Sequence, residues 1–332
     1  MKTLFLAILL FALLIFPHEL GHFIVAKAVG IKVNEFSFGM GPALFHKQKG
    51  ETLYSIRVFP IGGYCAMEGE DGGGEDERSF DNKPVWAKLL VLVAGAGMNL
   101  VISVLILTGI MLWYGTTTTT LADVPAGQPA YEAGIRAGDK IVEIDGIRTE
   151  SWADVSKQIQ ASGETMTVTY SRGGEETTVT LKPEKNEEGR IVIGIASKIS
   201  RSPITAIKYG ITGTGNFIVS IFDSLRMLIT GEAALSDVSG PVGMVTMVHE
   251  TSSSGMRYFL ILVALISVNL AIMNMLPLPA LDGGRIIFVL ISGITGKKIS
   301  EKVETAVNMF GFSLLILLMI LVTFSDVIKL FR

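Results

Sequence analysis

The sequence predicts a polytopic α-helical membrane protein with about four transmembrane helices, a membrane-associated β-hairpin region and one inserted α+β domain. Of its 332 residues, 49% are hydrophobic and only 18% are charged, and the mean hydropathy is +0.50. A soluble protein typically carries about 25% charged residues. Long apolar runs, bounded by glycine, proline and charged residues, then mark the individual spans.

Charge and cysteine content narrow the classes of function. The formal net charge of −3 gives no indication of a nucleic-acid partner. The single cysteine, Cys65, excludes an intrachain disulfide and a zinc site built from several cysteines. The sequence contains no GxxxxGK[ST] phosphate-binding loop, so an ATP-driven machine is not expected.

The first apolar segment, residues 1–29, contains three ionisable residues within Phe16-Pro-His-Glu-Leu-Gly-His-Phe23. On a helix, His18 and His22 lie one turn apart on one face, so both imidazoles can bind one zinc ion. Glu19 lies on the neighbouring flank, where it can take a proton from a water that the metal activates. Each ionisable residue costs about 2–3 kcal/mol in a helix at bilayer depth. The pattern therefore predicts metal-assisted hydrolysis.

Residues 1–29 also imitate a signal peptide that ends at Ala26-Lys27-Ala28. The polar motif separates the apolar core from that sequence, so we interpret the segment as an uncleaved first span. One basic residue precedes this span, whereas many follow it: Lys27, Lys32, Lys47, Lys49, Arg57, Arg78, Lys83 and Lys88. The positive-inside rule therefore predicts that the N-terminus is outside and that residues 30–85 are cytoplasmic.

The cytoplasmic stretch is rich in β-forming residues and predicts a hairpin region over residues 33–64. The strand candidates are joined by turns at Gly39-Met-Gly-Pro42 and Lys49-Gly50, and they are Val33–Phe38, Ala43–His46 and Tyr54–Phe59. One interpretation is a plain surface hairpin. The other is a sheet edge beside the metal that binds an extended peptide by strand addition.

A second span is predicted from Trp86 to about Tyr114, with aromatic residues at both ends. It contains Gly95-Ala-Gly-Met-Asn99, in which the small residues permit close helix contact. Asn99 is polar at membrane depth. The sequence leaves open whether Asn99 joins two helices or belongs to the catalytic site.

A soluble domain is predicted for residues 116–200. The run from Ala130 to Gly146 predicts a turn, a strand and an Asp-Gly hairpin turn; Trp152–Gln160 has helical spacing, and Thr165–Ser171 and Glu176–Leu181 alternate as strands. The Ala-Gly-x-x-x-Gly-Asp-x-Ile-x-x-Ile-Asp-Gly run resembles a PDZ domain. Such domains bind extended peptide ends at a sheet edge, and the alternative is a domain that only spaces or shields the membrane part.

Two further spans are predicted, Met256–Leu276 and Thr305–Val322. If residues 203–232 also crossed the membrane, the end of the third span would face away from the metal. We therefore interpret residues 203–232 as an amphipathic helix on the outer surface. The predicted parts are an N-terminal membrane core, the soluble domain, a membrane-surface region and a C-terminal membrane core, at residues 1–115, 116–200, 201–250 and 251–332.

The third span ends in Asn269-Leu-Ala-Ile-Met-Asn-Met-Leu-Pro-Leu-Pro-Ala-Leu-Asp-Gly-Gly-Arg285. Two prolines break the helix there, and Asp282 is an acidic residue at about the depth of His22. Catalytic zinc with two histidines takes a third protein ligand and leaves one position for water, so Asp282 completes a His2Asp set. His46 in the hairpin and His249 on the outer side are the rival ligands.

Together these motifs resemble the site-2 protease family of intramembrane zinc metalloproteases, in the bacterial RseP-like branch and with a single PDZ domain. The matching motifs occur in family order over nearly the whole chain: His18–His22, Phe36–Pro42, Pro60–Tyr64, Ser239–Gly243 and Asn274–Gly284. Three features depart from the family pattern. Ala96 stands where proline is usual, Cys65 stands where valine is common, and only one PDZ domain is present.

The resemblance implies that zinc is bound by His18, His22 and Asp282, with Glu19 activating water. It implies that Asn269 and Asn274 hold the substrate backbone or polarise the scissile carbonyl. The 33–64 hairpin, with Gly62, Gly63 and Tyr64, would align the unwound substrate as an added strand.

The implied substrates are single-pass membrane proteins that have been trimmed outside, of the anti-sigma factor or remnant signal peptide type. The implied location is the bacterial plasma membrane, with the PDZ domain and the 203–232 helix screening substrates on the outer side. The rival hypothesis is a membrane adaptor with a relict metal site. A metal-dependent transporter is disfavoured because no inverted repeat is visible.

Overall fold

A computed structural model of the chain describes residues 2–70, 76–233, 239–297 and 299–330. The chain divides into two compact units, one formed by Met1–Thr108 with Ile207–Arg332 and the other by Gly109–Ala206. The elements assigned mainly to the first unit are α1 (Lys2–Ala28), β1 (Val33–Lys49), β2 (Thr52–Met67), a short 3-10 helix (Phe80–Asn82), α2 (Val85–Tyr114), α5 (Pro203–Thr230), α6 (Pro241–Ser254), α7 (Met256–Met275), α8 (Asp282–Thr295) and α9 (Glu301–Leu330).

Four helices in the described part of the chain are long and apolar enough to cross a membrane. They are Phe5–Ala28, Val85–Tyr114, Met256–Met275 and Lys302–Lys329. Their number and positions confirm the four predicted apolar helices. The sidedness of the spans stays a prediction from the distribution of basic residues.

Helices α1 and α2 are antiparallel and nearly touch at Gly21. A β-carbon at Gly21 would collide with the carbonyl group of Ala94, so only glycine permits this separation. The next residue, His22, reaches Val91 and Gly95 of α2. The close approach brings the ionisable face of α1 against the backbone of α2.

Strands β1 and β2 form an irregular sheet with several register shifts, in which residues 35–38 are antiparallel to residues 63–66 and run in the same direction as residues 53–56. Residues 33–38 of β1 lie between two segments of β2, because Phe36 is aligned with both Cys65 and Tyr54. The chain turns back at the Gly39-Met-Gly-Pro42 sequence, where Gly39 and Gly41 have positive φ values of 86° and 87°. The three predicted strand segments and both predicted turns are therefore present, and residues 63–67 add a fourth segment.

The second unit is a six-stranded sheet of order β10-β3-β4-β6-β7 with β5 paired to β4. Its main elements are β3 (Thr116–Asp123), α3 (Pro129–Glu132), β4 (Lys140–Ile144), β5 (Ile147–Arg148), α4 (Trp152–Ala161), β6 (Met166–Arg172), β7 (Glu175–Leu181), β8 (Glu184–Lys185), β9 (Ile191–Val192) and β10 (Ala196–Ser200).

The core of this unit forms because α4 turns Val155 and Ile159 toward strand residues such as Ile141 and Val168, all of them buried. The predicted Asp-Gly hairpin turn is present, since Asp145 and Gly146 both have positive φ values, 49° and 78°. The strands and the helix predicted for the PDZ-like domain are thus confirmed within about one residue of their ends.

Helix α5 packs one face on two of the apolar helices. Its Gly210 lies against Thr108 of α2, its Thr214 hydroxyl lies 3.1 Å from the Ser103 hydroxyl, and Ile221 packs on Val268 of α7. One face of α5 is therefore packed against other helices, and its other face is exposed. Its predicted location on the outer membrane surface stays a prediction.

Helix α6 was not expected from the sequence, and it begins within the Ser239-Gly-Pro-Val-Gly243 motif. The buried carboxylate of Asp326 in α9 accepts hydrogen bonds from the backbone N–H groups of Gly240 and Gly243, both at 2.8 Å. A carboxylate at this position satisfies donors that the first turn of a helix leaves unpaired. Val248 of α6 then packs against Leu10 and Phe259.

Candidate metal centre

Three electron-pair donors converge where α1 meets the start of α8. The Nε2 atoms of His18 and His22 lie 3.2 Å apart, and they lie 3.3 Å and 3.4 Å from Oδ2 of Asp282. His18 and His22 are buried, and the Asp282 side chain is 19% exposed. Among the described residues, these three side chains lie close enough together to bind one metal ion.

The spacing of these atoms fits a tetrahedral metal site. Zinc binds nitrogen and oxygen at about 2.0–2.1 Å, which places neighbouring ligands of a tetrahedron about 3.3 Å apart. The three separations, 3.2, 3.3 and 3.4 Å, agree with that value. Oδ2 of Asp282 is buried and has no hydrogen-bond partner among the described residues, as expected of an atom that faces a cation.

The two histidines reach this position because α2 has no side chain at Gly95, where both rings approach it. A β-carbon at Gly95 would lie 2.7 Å from Cε1 of His18 and would overlap the ring of His22. Nδ1 of His22 lies 2.8 Å from the carbonyl oxygen of Val91, which fixes the ring with Nε2 facing Asp282. The sequence predicted close helix contact at Gly95, but it did not show that the two histidines are the groups in contact with this glycine.

Asp282 is brought to the histidines by a tight connection between α7 and α8. A β-carbon at Gly283 would collide with the carbonyl groups of Met275 and Leu276, and one at Gly284 would collide with that of Leu278. Both glycines therefore permit the backbone to fold directly back on the end of α7. One turn into α8, Arg285 forms an ion pair with Glu70, which follows β2.

The hairpin sheet lies directly beside Glu19. A β-carbon at Gly63 would lie 3.4 Å from Cγ of Glu19 and 2.8 Å from the carbonyl oxygen of Ser37. Gly62 has a φ of 93° and packs on the side chain of Met40. Two of the predicted substrate-contacting residues, Gly62 and Gly63, thus lie in the strand segment next to the predicted base.

Tyr64, the third of these residues, belongs to a polar cluster centred on Arg57. The guanidinium donates to Glu35 at 2.7 Å, to the Tyr64 hydroxyl at 2.5 Å and to the carbonyl oxygen of Gly41 at 2.6 Å. Burial opposes ionisation of Glu35, but hydrogen bonds from Ser55, Arg57 and Tyr64 outweigh it and lower the pKa of Glu35. The cluster therefore ties the segment at Tyr64 to the turn at Gly41.

The remaining predicted residues divide into those near the histidines and those away from them. Nδ2 of Asn274 lies 3.3 Å from Nε2 of His18. Asn269, earlier on α7, is exposed. The two rival ligands are also elsewhere: His46 is exposed on β1, and Nδ1 of His249 lies 3.2 Å from the Thr3 hydroxyl. Sequence reasoning did not identify Arg57, Glu70 or Arg285, whose roles depend on partners far along the chain.

Comparison with known proteins agrees with this geometry. The peptidase family M50 profile matches residues 6–318. Two relatives whose names describe zinc metalloproteases, from Clostridium acetobutylicum and Clostridium perfringens, are 39% and 41% identical; the alignments cover 97% of this chain in both cases and 96% and 97% of the relatives. A Bacillus subtilis relative named regulator of sigma-W protease RasP is 29% identical, with 99% of each chain covered.

Among solved structures, the PDZ domain of a Listeria innocua SdrC-like protein is 28% identical, with a TM-score of 0.23, and the match covers 25% of this chain and 96% of that one. The family profile and the full-length relatives decide the assignment. The chain belongs to peptidase family M50, the site-2 protease family, and is a membrane metalloprotease of its RseP-like branch.

Proposed function

We propose that this chain is an intramembrane zinc endopeptidase that cleaves single-pass membrane proteins. The observation that supports it best is the spacing of the donors of His18, His22 and Asp282, which agrees with the edge of a zinc tetrahedron at all three pairs. Ionisable groups are costly at bilayer depth, so their convergence in one buried group favours a metal.

In this proposal His18, His22 and Asp282 hold the zinc ion. Zinc bound there supplies a Lewis acid that polarises the scissile carbonyl and makes a water more acidic. Glu19 takes the proton from the attacking water and gives it to the leaving amine. Asn274, beside His18, is suited to donate a hydrogen bond to the carbonyl oxygen of the substrate. Asn269 contacts the substrate farther from the reacting bond.

The substrate backbone would be held as an added strand along residues 63–66 of β2. This segment pairs with β1 on one side in the described part of the chain, and Gly63 lies next to Glu19. Unpaired N–H and C=O groups at a sheet edge bind an extended peptide. A transmembrane helix must lose its own hydrogen bonds before it is cut, and a strand partner replaces some of them.

The proposed substrates are membrane proteins of the anti-sigma factor or remnant signal peptide type. Support comes from the relative whose name describes a regulator of sigma-W protease. The distribution of basic residues favours a bacterial plasma membrane topology with the N-terminus and the PDZ domain outside. In that orientation the PDZ domain and α5 screen substrates before they reach the metal.

The test compares purified full-length wild type with Glu19→Gln for zinc content and for cleavage of a single-pass model substrate. We expect about one zinc per chain in both proteins. Cleavage should fall about 100- to 10,000-fold in the variant, because the glutamate is a base and not a ligand. Glu250→Gln, which changes an exposed carboxylate on α6, is the control and should cleave normally. Equal cleavage by the Glu19 variant would remove Glu19 as the base, and a wild type that neither binds zinc nor cleaves the substrate would favour the adaptor hypothesis.

A further inference from the structure

The side chain of Asn99 is fully buried in α2, and neither of its amide atoms has a hydrogen-bond partner among the described residues. Buried amides are almost always paired, because an unpaired one costs about 1–3 kcal/mol. The backbone of Asn99 is satisfied, since its carbonyl oxygen accepts from the Ser267 hydroxyl at 2.9 Å. Helix packing therefore accounts for the backbone of this residue and leaves its amide unexplained.

A second buried polar atom without a partner belongs to the metal centre. Nδ1 of His18 is unpaired in the part of the chain that the structure describes, whereas Nδ1 of His22 faces the carbonyl oxygen of Val91. A metal-binding histidine nearly always donates its second ring N–H to a carbonyl, a carboxylate or a water. The two histidines thus differ in this respect, and His18 needs a partner.

The register of α1 and α2 brings these two unpaired groups to neighbouring levels. His22 contacts Val91 and Gly95, and His18, one turn earlier on α1, contacts Gly95. Because the helices are antiparallel, the next turn of α2 on this face carries Asn99. His18 and Asn99 therefore lie on facing sides of α1 and α2, next to the contact at Gly95.

We propose that Asn99 is a positioning residue for His18 and accepts, through one buried water, the hydrogen bond that Nδ1–H of His18 donates. The water would accept from Nδ1–H of His18 and donate to Oδ1 of Asn99, so it would satisfy one unpaired atom of each residue. Donation from Nδ1 leaves the Nε2 lone pair directed at Asp282 and the metal. The inference rests on the proposed zinc site and adds to it a residue that contacts a ligand through the water but does not contact the metal.

The test measures metal binding by the purified full-length protein, without reference to cleavage. Zinc affinity is measured by competition with a chromophoric chelator, and the absorption spectrum of the cobalt-substituted protein reports ligand geometry. Asn99→Leu removes the acceptor at similar volume, and Asn99→Asp keeps an acceptor of the same shape. Ser103→Ala is the matched control, because Ser103 is equally buried one turn farther from the histidines and is paired with Thr214.

We expect Asn99→Leu to bind zinc about 10- to 100-fold more weakly and to change the cobalt spectrum. Asn99→Asp should recover most of the affinity, and Ser103→Ala should match the wild type in both measurements. Wild-type affinity and spectrum in Asn99→Leu would overturn the assignment, as would equal losses in Asn99→Leu and Ser103→Ala. If the wild type bound no zinc, the proposed function would fail first and the inference would fail with it.

Discussion

Gly95 of α2 lies directly against the imidazole ring of His22, with no room for a side chain between them. The same glycine faces Cε1 of His18, so both imidazole rings lie against one residue of α2. The geometry of the centre therefore depends on a position that carries no functional group.

Gly95→Ala should displace both histidines, because the added methyl group overlaps the ring of His22. We expect zinc affinity to fall at least about 10-fold and stability to fall by about 1–3 kcal/mol through overpacking. Zinc content after dialysis and the thermal midpoint in detergent measure these effects. Gly97→Ala is the control, since its β-carbon would meet nothing within 4 Å. Equal zinc content in the two variants would contradict the prediction.

Asp282→Asn should weaken both metal binding and cleavage, because a neutral amide replaces the carboxylate that faces the two Nε2 atoms. The loss in zinc affinity should exceed the roughly 10- to 100-fold that removal of an outer-layer partner produces. Zinc analysis by mass spectrometry provides the measurement. Asp223→Asn, at an exposed carboxylate on α5, should retain the metal. Unchanged zinc in Asp282→Asn would remove this residue from the site.

Arg57→Lys should impair substrate binding while zinc binding stays normal. Lysine keeps the charge but cannot reach Glu35, Tyr64 and Gly41 together with one planar group. Charged hydrogen bonds contribute about 1.5–3 kcal/mol each, so we expect KM for a model substrate to rise about 10-fold or more. Arg190→Lys, at an exposed position in the second unit, is the control. A selective loss of kcat would contradict a role in aligning the sheet.

The second unit should become less stable in acid through Asp139. Burial raises the pKa of this carboxyl group, but hydrogen bonds from Arg172 and from the N–H of Arg136 outweigh burial and hold the pKa below its usual value. A lowered native pKa stabilises the fold above the unfolded-state pKa of about 3.9. This stabilisation is lost as the pH falls through the native pKa.

Thermal unfolding between about pH 2.5 and pH 6 measures this dependence, followed by the fluorescence of Trp152 in a protein whose Trp86 and Trp113 are replaced by phenylalanine. Asp139→Asn should already be destabilised at pH 6, by about 1–3 kcal/mol, and should lose the part of the pH dependence below about pH 4. Asp145→Asn is less suitable as a control because its carboxylate also bonds the backbone of Thr167. Asp123→Asn, at an exposed position, serves instead. An unchanged acid profile in Asp139→Asn would refute the assignment.

The sequence predicted the parts of the fold that depend on local patterns. The four apolar helices, the Asp-Gly turn at Gly146 and the strand segments of the hairpin are visible in periodicity and composition. His18, His22 and Asp282 were predicted together because the motifs around them are specific and the family resemblance joins them. Their convergence is found in the structure, and their roles remain proposals.

The features that escaped prediction depend on partners distant in the sequence. Helix α6 begins where it does because Asp326, 83 positions beyond Gly243, accepts its first N–H groups. Arg57 and Arg285 looked like ordinary cytoplasmic basic residues, since charge patterning identifies a side of the membrane and not an ion-pair partner. The unpaired amide of Asn99 is likewise apparent only when its neighbours are known.

The convergence of α1 and α8 also fixes when the site can form during synthesis. The two histidines lie in α1, and Asp282 follows His22 by 260 residues. Until that last segment is made, a nascent chain has two of the three converging donors. In the proposed site, the order of the three donors along the chain thus delays assembly until the PDZ domain and three of the four apolar helices of the described residues have been translated.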